Sequence, residues 1–198
     1  MKATAVQASS LLGQAPQRDT LAPPRSAPNA LFATGEPRLF GAQITPYSLL
    51  TLAKAIVTLP PHPGEGARCI YTMNVFHVSV LQKNALFRKA YSGAWAVTID
   101  GAPVARVAAM IGLRRQRVTG ADLMPVVVEG LSPVRHRPYF VVSDLATEEA
   151  IRAQLMARGF LSEQIGFARP AFGFEGDELA SRKLAAGIRA HATTHLFM

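Results

Sequence analysis

Short apolar runs alternate with longer amphipathic segments from Arg38 to the end of the chain. The short runs predict strands near 38–43, 69–73, 95–99, 138–143, 164–168 and 194–198. The longer segments predict a helix that starts at Pro46, a helix after Asn74, and helices over about 102–112, 120–130, 147–158 and 177–191. This alternation is typical of an α/β protein, so we expect a Rossmann-like fold with a largely parallel sheet flanked by helices.

Two segments lack this periodicity. Residues 1–36 mix Ala, Pro, Ser, Gln and Thr, which predicts a flexible, disordered leader ahead of a single domain over 37–198. The stretch PPHPGEG, residues 60–66, predicts a surface loop that ends the first long helix.

The composition narrows the class of protein. Hydrophobic residues make up 49% of the 198 residues and charged residues 17%, which is enough apolar material for a buried core. Lys and Arg total 21 against 13 Asp and Glu, and this excess predicts attraction to a phosphate-bearing partner. No long basic run or nucleic-acid motif is present, which argues against nucleic acid as that partner.

A single cysteine, Cys69, excludes an internal disulfide, and no apolar stretch reaches the roughly 20 residues that a transmembrane helix needs.

Polar residues follow the predicted strands 69–73 and 95–99, and further polar residues occur in the segment QRVTGADL. In an open α/β sheet ligands bind at the carboxyl ends of the strands, where loops and helix N-termini meet. One of these residues is Arg117. A guanidinium in an ordered turn can donate two hydrogen bonds to a phosphate, so Arg117 is a candidate for an anion site. The residues are Thr72 and Asn74 after RCIYTM, Asp100 and Gly101 in WAVTIDG, and Arg117, Gly120 and Asp122 in QRVTGADL.

Each of these residues also has a purely structural explanation. Asp100 followed by Gly101 could cap the next helix, and Thr72 and Asn74 could do the same. His77, one helical turn past Asn74, could reach the cleft or pack against the sheet. Arg117 could be a surface residue beside Arg114 and Arg115. Spacing alone does not decide between these explanations.

Metal and cofactor binding find little support in the sequence. The chain has no Asp-x-Asp pair to hold a divalent cation, and its five histidines lack ligand spacing. Glu175 and Asp177 precede a predicted helix, where Asp177 is first of all a capping residue. We therefore expect neither a metal site nor a cofactor.

The segments TMNVFHVSVLQKNALFRKAY, IDGAPVARVAAMIG and QRVTGADLMPVVVEG, in this order and with PAFGFEGDE after them, resemble the WecG/TagA/CpsF glycosyltransferases. The resemblance covers about residue 38 to the end. It implies an inverting, metal-independent transfer of a hexosyl or N-acetylhexosaminyl group from a UDP-sugar to a polyprenyl-diphosphate-linked glycan acceptor. Such a reaction serves bacterial surface or exopolysaccharide biosynthesis.

The resemblance also implies roles for individual residues. Asp100 would be the general base, Arg117 would stabilise the charge of the UDP leaving group, and Thr72 and Asn74 would line the pocket. Asp122 would line the pocket or order the loop that presents Arg117. Gly101, Gly120 and His77 complete the expected substrate-binding set.

Members of this family typically dock on the inner face of the cytoplasmic membrane. The positive charge agrees with such a peripheral location, and a homo-oligomer is one possible assembly.

Two features depart from the family pattern. Ser143 and Asp144 stand where a Gly pair is usual, and an acidic side chain there would repel a diphosphate unless it points away. The final HLFM resembles a strand that should lead into a Gly-rich turn, a Pro-Lys-Gln-Glu-like motif and a basic membrane-docking appendage. We therefore expect a C-terminally incomplete member. The alternative function is a truncated, catalytically impaired module that binds a nucleotide sugar or a lipid diphosphate.

Overall fold

The computed structural model describes residue 35 and residues 37–61 and 66–198. Helices and strands alternate along these residues. The helices are α1 (Leu49–Thr58), α2 (Val75–Lys83), α3 (Ala85–Ser92), α4 (Ala102–Met110), α5 (Gly120–Gly130), α6 (Leu145–Ala157) and α7 (Glu178–Ala190). The strands are β1 (Ile70–Met73), β2 (Ala96–Ile99), β3 (Pro138–Val141), β4 (Gly166–Ala168) and β5 (His195–Phe197).

Five of the six predicted strands are confirmed, and the strand predicted at 38–43 is wrong. Leu39 and Ala42 instead close a tight turn through two reciprocal backbone hydrogen bonds of 2.9 Å. The turn needs positive φ angles at its two central residues, 49° at Phe40 and 84° at Gly41. Gly41 adopts such an angle readily. The Phe-Gly pair was therefore a local signal for a turn, but the apolar residues around it led to the prediction of a strand.

The helix predictions are confirmed, with shifted boundaries set by capping side chains. α1 begins at Leu49 rather than at Pro46, because the Ser48 hydroxyl accepts a hydrogen bond from the Thr51 N–H at 3.3 Å. The helix expected after Asn74 is divided at Asn84, which ends α2 and caps α3. The leader predicted at 1–36 lies almost wholly outside the described residues, as do residues 62–65 of the predicted loop.

The strands pair in parallel, as predicted, but they form two small sheets rather than one. β1 pairs with β2, and the second sheet has the order β4-β3-β5. On the other side of β2 from β1, Arg117 makes a single parallel bridge to Ile99 instead of starting another strand. α5 begins three residues later, and this leaves no length for a longer pairing.

Apolar side chains cover both faces of the first sheet. All four residues of β2 are buried: Val97 and Ile99 belong to one core cluster, and Ala96 joins Val118 in a second cluster. A third cluster surrounds Phe140 of the second sheet. Val57 and Phe197 pack against both the second and the third cluster, so the two sheets share part of one core. None of the helices in the described ranges is both long and apolar enough to cross a membrane.

Two histidines supply donors to the last turn of α1. In a continuing helix the carbonyls of Ile56 and Val57 would accept from the N–H groups of residues 60 and 61, but both of those are proline and have no N–H. His195 Nε2 lies 3.2 Å from the Ile56 carbonyl oxygen, and His136 hydrogen-bonds the backbone of Val57. The two rings are perpendicular, with centroids 5.0 Å apart. They therefore tie α1 to β5 and to the turn before β3.

Candidate functional site

The carboxyl ends of β1 and β2 bring two predicted site residues side by side. Met73 and Ile99 are paired in the parallel register, so Asn74 and Asp100 follow at neighbouring positions of the same edge. A hydrogen bond of 2.7 Å from the Asp100 N–H to the Met73 carbonyl continues the ladder beyond the strands. Both residues are partly exposed, and their side chains can therefore meet a ligand at this edge.

The segment around Arg117 lies on the opposite side of β2 from β1. The Val118 N–H donates to the Ile99 carbonyl at 3.0 Å, and the Thr98 hydroxyl donates to the Val118 carbonyl at 2.7 Å. These bonds anchor the backbone next to Arg117, whose side chain is exposed. Asp100 therefore sits at the central position of this edge, between Asn74 and the Arg117 segment.

Asp100 and Arg117 are the charged residues directly at the end of β2. Among the described residues, the Asp100 carboxylate and the Arg117 guanidinium form no hydrogen bond and no ion pair. Asp100 does not cap α4 either, because Gly101 occupies the N-cap position with φ 95° and that cap has no side-chain hydrogen bond. The capping explanation for Asp100 is therefore wrong, and both charges are available to a ligand.

Thr72 lies against the first turn of α5. It is paired with Thr98 in the strand register, one pair before Met73 and Ile99. A Cβ placed on Gly120 would lie 3.6 Å from the Thr72 hydroxyl oxygen, an ordinary van der Waals contact. The structure thus brings Thr72 and Gly120 together.

Asn74 and Thr119 act as helix caps at this edge. The Asn74 side-chain oxygen accepts from the His77 N–H at 2.9 Å, which confirms the capping explanation for Asn74, while its amide N–H groups have no partner among the described residues. The Thr119 hydroxyl accepts from the Asp122 N–H at 3.0 Å. Thr119 was not among the predicted residues, although Thr-x-x-Asp before an apolar run is a capping signal. The Asp122 side chain itself is exposed.

Three helices, α2, α4 and α5, begin at this edge. Their first N–H groups lack intrahelical partners and carry partial positive charge. Helix N-termini, a free guanidinium and a hydroxyl suit the binding of a diphosphate. A free carboxylate beside them can accept a proton, so the edge offers anion binding and a base together.

His77 joins this edge to an aromatic cluster. Its Nδ1 lies 2.7 Å from the hydroxyl oxygen of Tyr91, and the edge of its ring faces Phe87 at a centroid distance of 5.4 Å. Burial lowers the pKa of His77, and the charge of the Asp100 carboxylate partly offsets that effect. His77 is therefore both packed against the core and close to the candidate base. Tyr91 was missed by the sequence reasoning, because no spacing rule links it to His77.

The carboxyl end of the second sheet is not part of this arrangement. Asp144 caps α6: its carboxylate accepts from the Thr147 N–H at 2.8 Å, from the Thr147 hydroxyl and from the Ser143 hydroxyl. These hydrogen bonds lower the pKa of Asp144. Asp177 likewise caps α7, as predicted, by accepting from the N–H groups of Leu179 and Ala180.

The site residues lie along a strand edge. Surface pockets of about 330 and 320 Å³ on the described part of the chain are lined by residues other than Asp100. Within the same part, no three His, Cys, Asp or Glu side chains lie close enough to share a metal ion. The charged residues that were predicted for this site and lie at or next to this edge are Asp100, Arg117 and Asp122.

Comparison with known families places most of the chain in a family. Residues 37–198 match the model of the glycosyl transferase WecG/TagA/CpsF family. This range contains every residue of the candidate site. None of the curated proteins compared with the chain matches it.

Proposed function

Because the chain belongs to the WecG/TagA/CpsF family of glycosyltransferases, we propose that it transfers a sugar from a UDP-sugar to a polyprenyl-diphosphate-linked glycan acceptor. The product would be an intermediate of a bacterial surface polysaccharide or exopolysaccharide. The transferred group would be a hexosyl or an N-acetylhexosaminyl residue.

The observation that carries this proposal is the placement of opposite charges, which have no ion-pair partner among the described residues, at one strand edge. Asp100 follows β2, and Arg117 lies beside the end of the same strand through the Ile99 bridge. Asn74 flanks Asp100 on the other side, and α5 begins next to Thr72. In a sugar nucleotide the diphosphate is bonded to the reacting carbon of the sugar. The diphosphate would bind next to Arg117, and the reacting carbon would then lie next to Asp100.

The chemistry is a single displacement with inversion. The acceptor hydroxyl oxygen forms a bond to the anomeric carbon while the bond from that carbon to the diphosphate oxygen breaks. Asp100 takes the hydroxyl proton, and UDP leaves with the bonding electron pair. Arg117 and the first N–H groups of α4 and α5 stabilise the negative charge that develops on the diphosphate, which requires no metal ion.

Thr72 and Asn74 would hold the sugar or the acceptor by hydrogen bonds. The Thr72 hydroxyl and the free amide of Asn74 both lie within this edge. The formal net charge of +8 would favour peripheral contact with the anionic inner leaflet of the cytoplasmic membrane, where a polyprenyl-linked acceptor resides.

The experiment is a transfer assay with the 198-residue chain, a panel of UDP-sugars and a polyprenyl-diphosphate-linked acceptor. We expect acceptor-dependent release of UDP and a glycosylated lipid product. The second candidate function is a truncated, catalytically impaired module that binds a nucleotide sugar or a lipid diphosphate. Tight UDP binding by calorimetry with no product from any donor would select that second function and contradict the first.

A further inference from the structure

We propose that Tyr91 is a positioning residue for the candidate base: it holds His77 as a neutral imidazole, with the proton on Nε2, beside Asp100. This inference rests on the proposed function in one respect only, namely that Asp100 is the base. It extends the site from the strand edge into the aromatic cluster behind it.

The geometry around Tyr91 is rigid. Tyr91 is only 4% exposed, and its ring stacks on Tyr71 with a centroid distance of 4.7 Å. Phe87 packs against the rings of both His77 and Tyr91. The backbone of His77 is fixed as well, because its N–H donates to the Asn74 side chain. The contact of 2.7 Å between the Tyr91 hydroxyl and His77 Nδ1 therefore joins two side chains with little freedom to move.

The direction of that hydrogen bond follows from the surroundings of the hydroxyl. Burial, and then the neighbouring Tyr71, raise the pKa of Tyr91, so the hydroxyl keeps its proton. Its only hydrogen-bond partner among the described residues is His77 Nδ1. If Nδ1 carried a proton, the buried Tyr91 O–H would have no acceptor, which is an unfavourable arrangement. Tyr91 therefore donates, and a neutral His77 must carry its proton on Nε2.

The consequence for Asp100 is electrostatic. A protonated His77 would be a cation beside the carboxylate, would stabilise its charged form and would make it a weaker base. A neutral His77 leaves the carboxylate free to take a proton from an acceptor hydroxyl. The titratable groups around His77 are Tyr91 on α3, Tyr71 on β1 behind it, and Asp100 after β2.

The test compares Tyr91→Phe with Tyr71→Phe. Each variant removes one hydroxyl from the same stacked pair, but the Tyr71 hydroxyl faces Cys69 and not His77. Long-range proton–nitrogen NMR of the full chain reports the tautomer and the titration of His77, which is assigned with His77→Gln. The pH profile of kcat/KM in the transfer assay reports the state of the base.

We expect the Nε2–H tautomer of His77 in the wild type and in Tyr71→Phe. In Tyr91→Phe we expect both tautomers and a higher pKa for His77, because Nδ1 no longer needs to accept. A rise of about one unit in this pKa would lower kcat/KM by up to roughly tenfold at pH values below both pKa values, relative to the wild type, and leave it unchanged above pH 8. An Nδ1–H tautomer in the wild type would overturn the proposal.

An unchanged tautomer and titration in Tyr91→Phe would overturn it too. A changed tautomer with an unchanged pH profile would refute the link to Asp100. If the wild type shows no transfer at all, the proposed function fails, while the NMR experiment still decides whether Tyr91 controls His77.

Discussion

Strands β2 and β3 are buried strands of two different parallel sheets, and each is followed by an acidic residue, Asp100 after β2 and Asp144 after β3. The two carboxylates differ in their hydrogen-bond partners. Asp144 accepts three hydrogen bonds from Ser143 and Thr147 and caps α6. Gly101, and not Asp100, is the N-cap of α4, and the Asp100 carboxylate accepts no hydrogen bond from the described residues. A position after a strand is therefore not enough to identify a functional acid. The hydrogen-bond partners of the carboxylate show whether it caps a helix or is a candidate base.

The basic residues of the two edges differ in the same way. Arg169 follows β4 and lies 3.3 Å from the Glu148 carboxylate, which also binds Arg152. Arg117 has no such partner within the described residues. Asp144 and Arg169 thus have partners within the protein, whereas Asp100 and Arg117 have none among the described residues. This difference makes the first edge the better candidate for the site.

A large effect is expected from replacing the arginine of the first edge. Arg117→Met should lower kcat/KM roughly 100-fold, because one preformed donor to the developing diphosphate charge is lost. Arg169→Met should stay within about twofold of the wild type, because a partly exposed ion pair contributes little. Steady-state kinetics of the two variants provide the measurement. Equal losses would remove the distinction between the edges.

Gly166→Ala should affect stability and not chemistry. A Cβ at residue 166 would overlap the ring of Tyr139 on the neighbouring strand, so the second sheet must shift, at a cost of about 1–3 kcal/mol. Gly176→Ala is the control, because nothing lies within 4 Å of its added Cβ. Urea unfolding gives the free energies. A loss of kcat in folded Gly166→Ala would show that the second sheet does take part in the reaction.

Thr119→Ala should cost about 1 kcal/mol of folding stability, because the N–H of Asp122 loses its capping hydroxyl. Thr119→Ser keeps the hydroxyl and should stay close to the wild type. Thermal unfolding monitored by circular dichroism compares the two variants. An equal loss in both would mean that the Thr119 methyl group, rather than its hydroxyl, stabilises the start of α5.

The smallest expected effect is a pH dependence of stability that arises from the histidine pair at the end of α1. Burial lowers the pKa of both histidines. The charge of Arg135 lowers the pKa of His136 further, and the His136 imidazole lowers the pKa of His195 further. The unfolded chain therefore binds more protons below about pH 6.5, and stability falls as the pH drops below that value. Urea midpoints at pH 7.5 and 5.5 should show this loss. His195→Gln should weaken the pH dependence, and an undiminished dependence would assign it to other groups.

Much of the fold follows from local patterns in the sequence. Five strands and all the predicted helices appear near their expected places, because buried parallel strands are short apolar runs and because Asn74 and Asp177 are strong caps. The turn at Phe40 was missed because its backbone angles depend on a single glycine within an apolar run. No periodicity encodes the division into two sheets or the single backbone bridge between Ile99 and Arg117.

The candidate site was only partly predictable. Strand ends and the family resemblance indicated Asp100, Arg117, Thr72 and Asn74, because parallel strands bring such positions to one edge. The sequence left open whether Asp100 and Asn74 were caps, since that depends on side-chain orientation; Asn74 is a cap and Asp100 is not. Tyr91 lies 14 residues from its partner His77, so only the packing of α3 against α2 reveals that contact.

The most direct test of the account compares Asp100→Asn with Asp144→Asn in the transfer assay, with UDP binding measured by calorimetry. Each variant neutralises one strand-end carboxylate with little change in size. We predict that Asp100→Asn lowers kcat by about 100-fold or more, as expected for loss of a general base, with UDP affinity retained. Asp144→Asn should keep its kcat. A fully active Asp100→Asn variant would contradict the assignment of the base and, with it, the functional difference between the two edges.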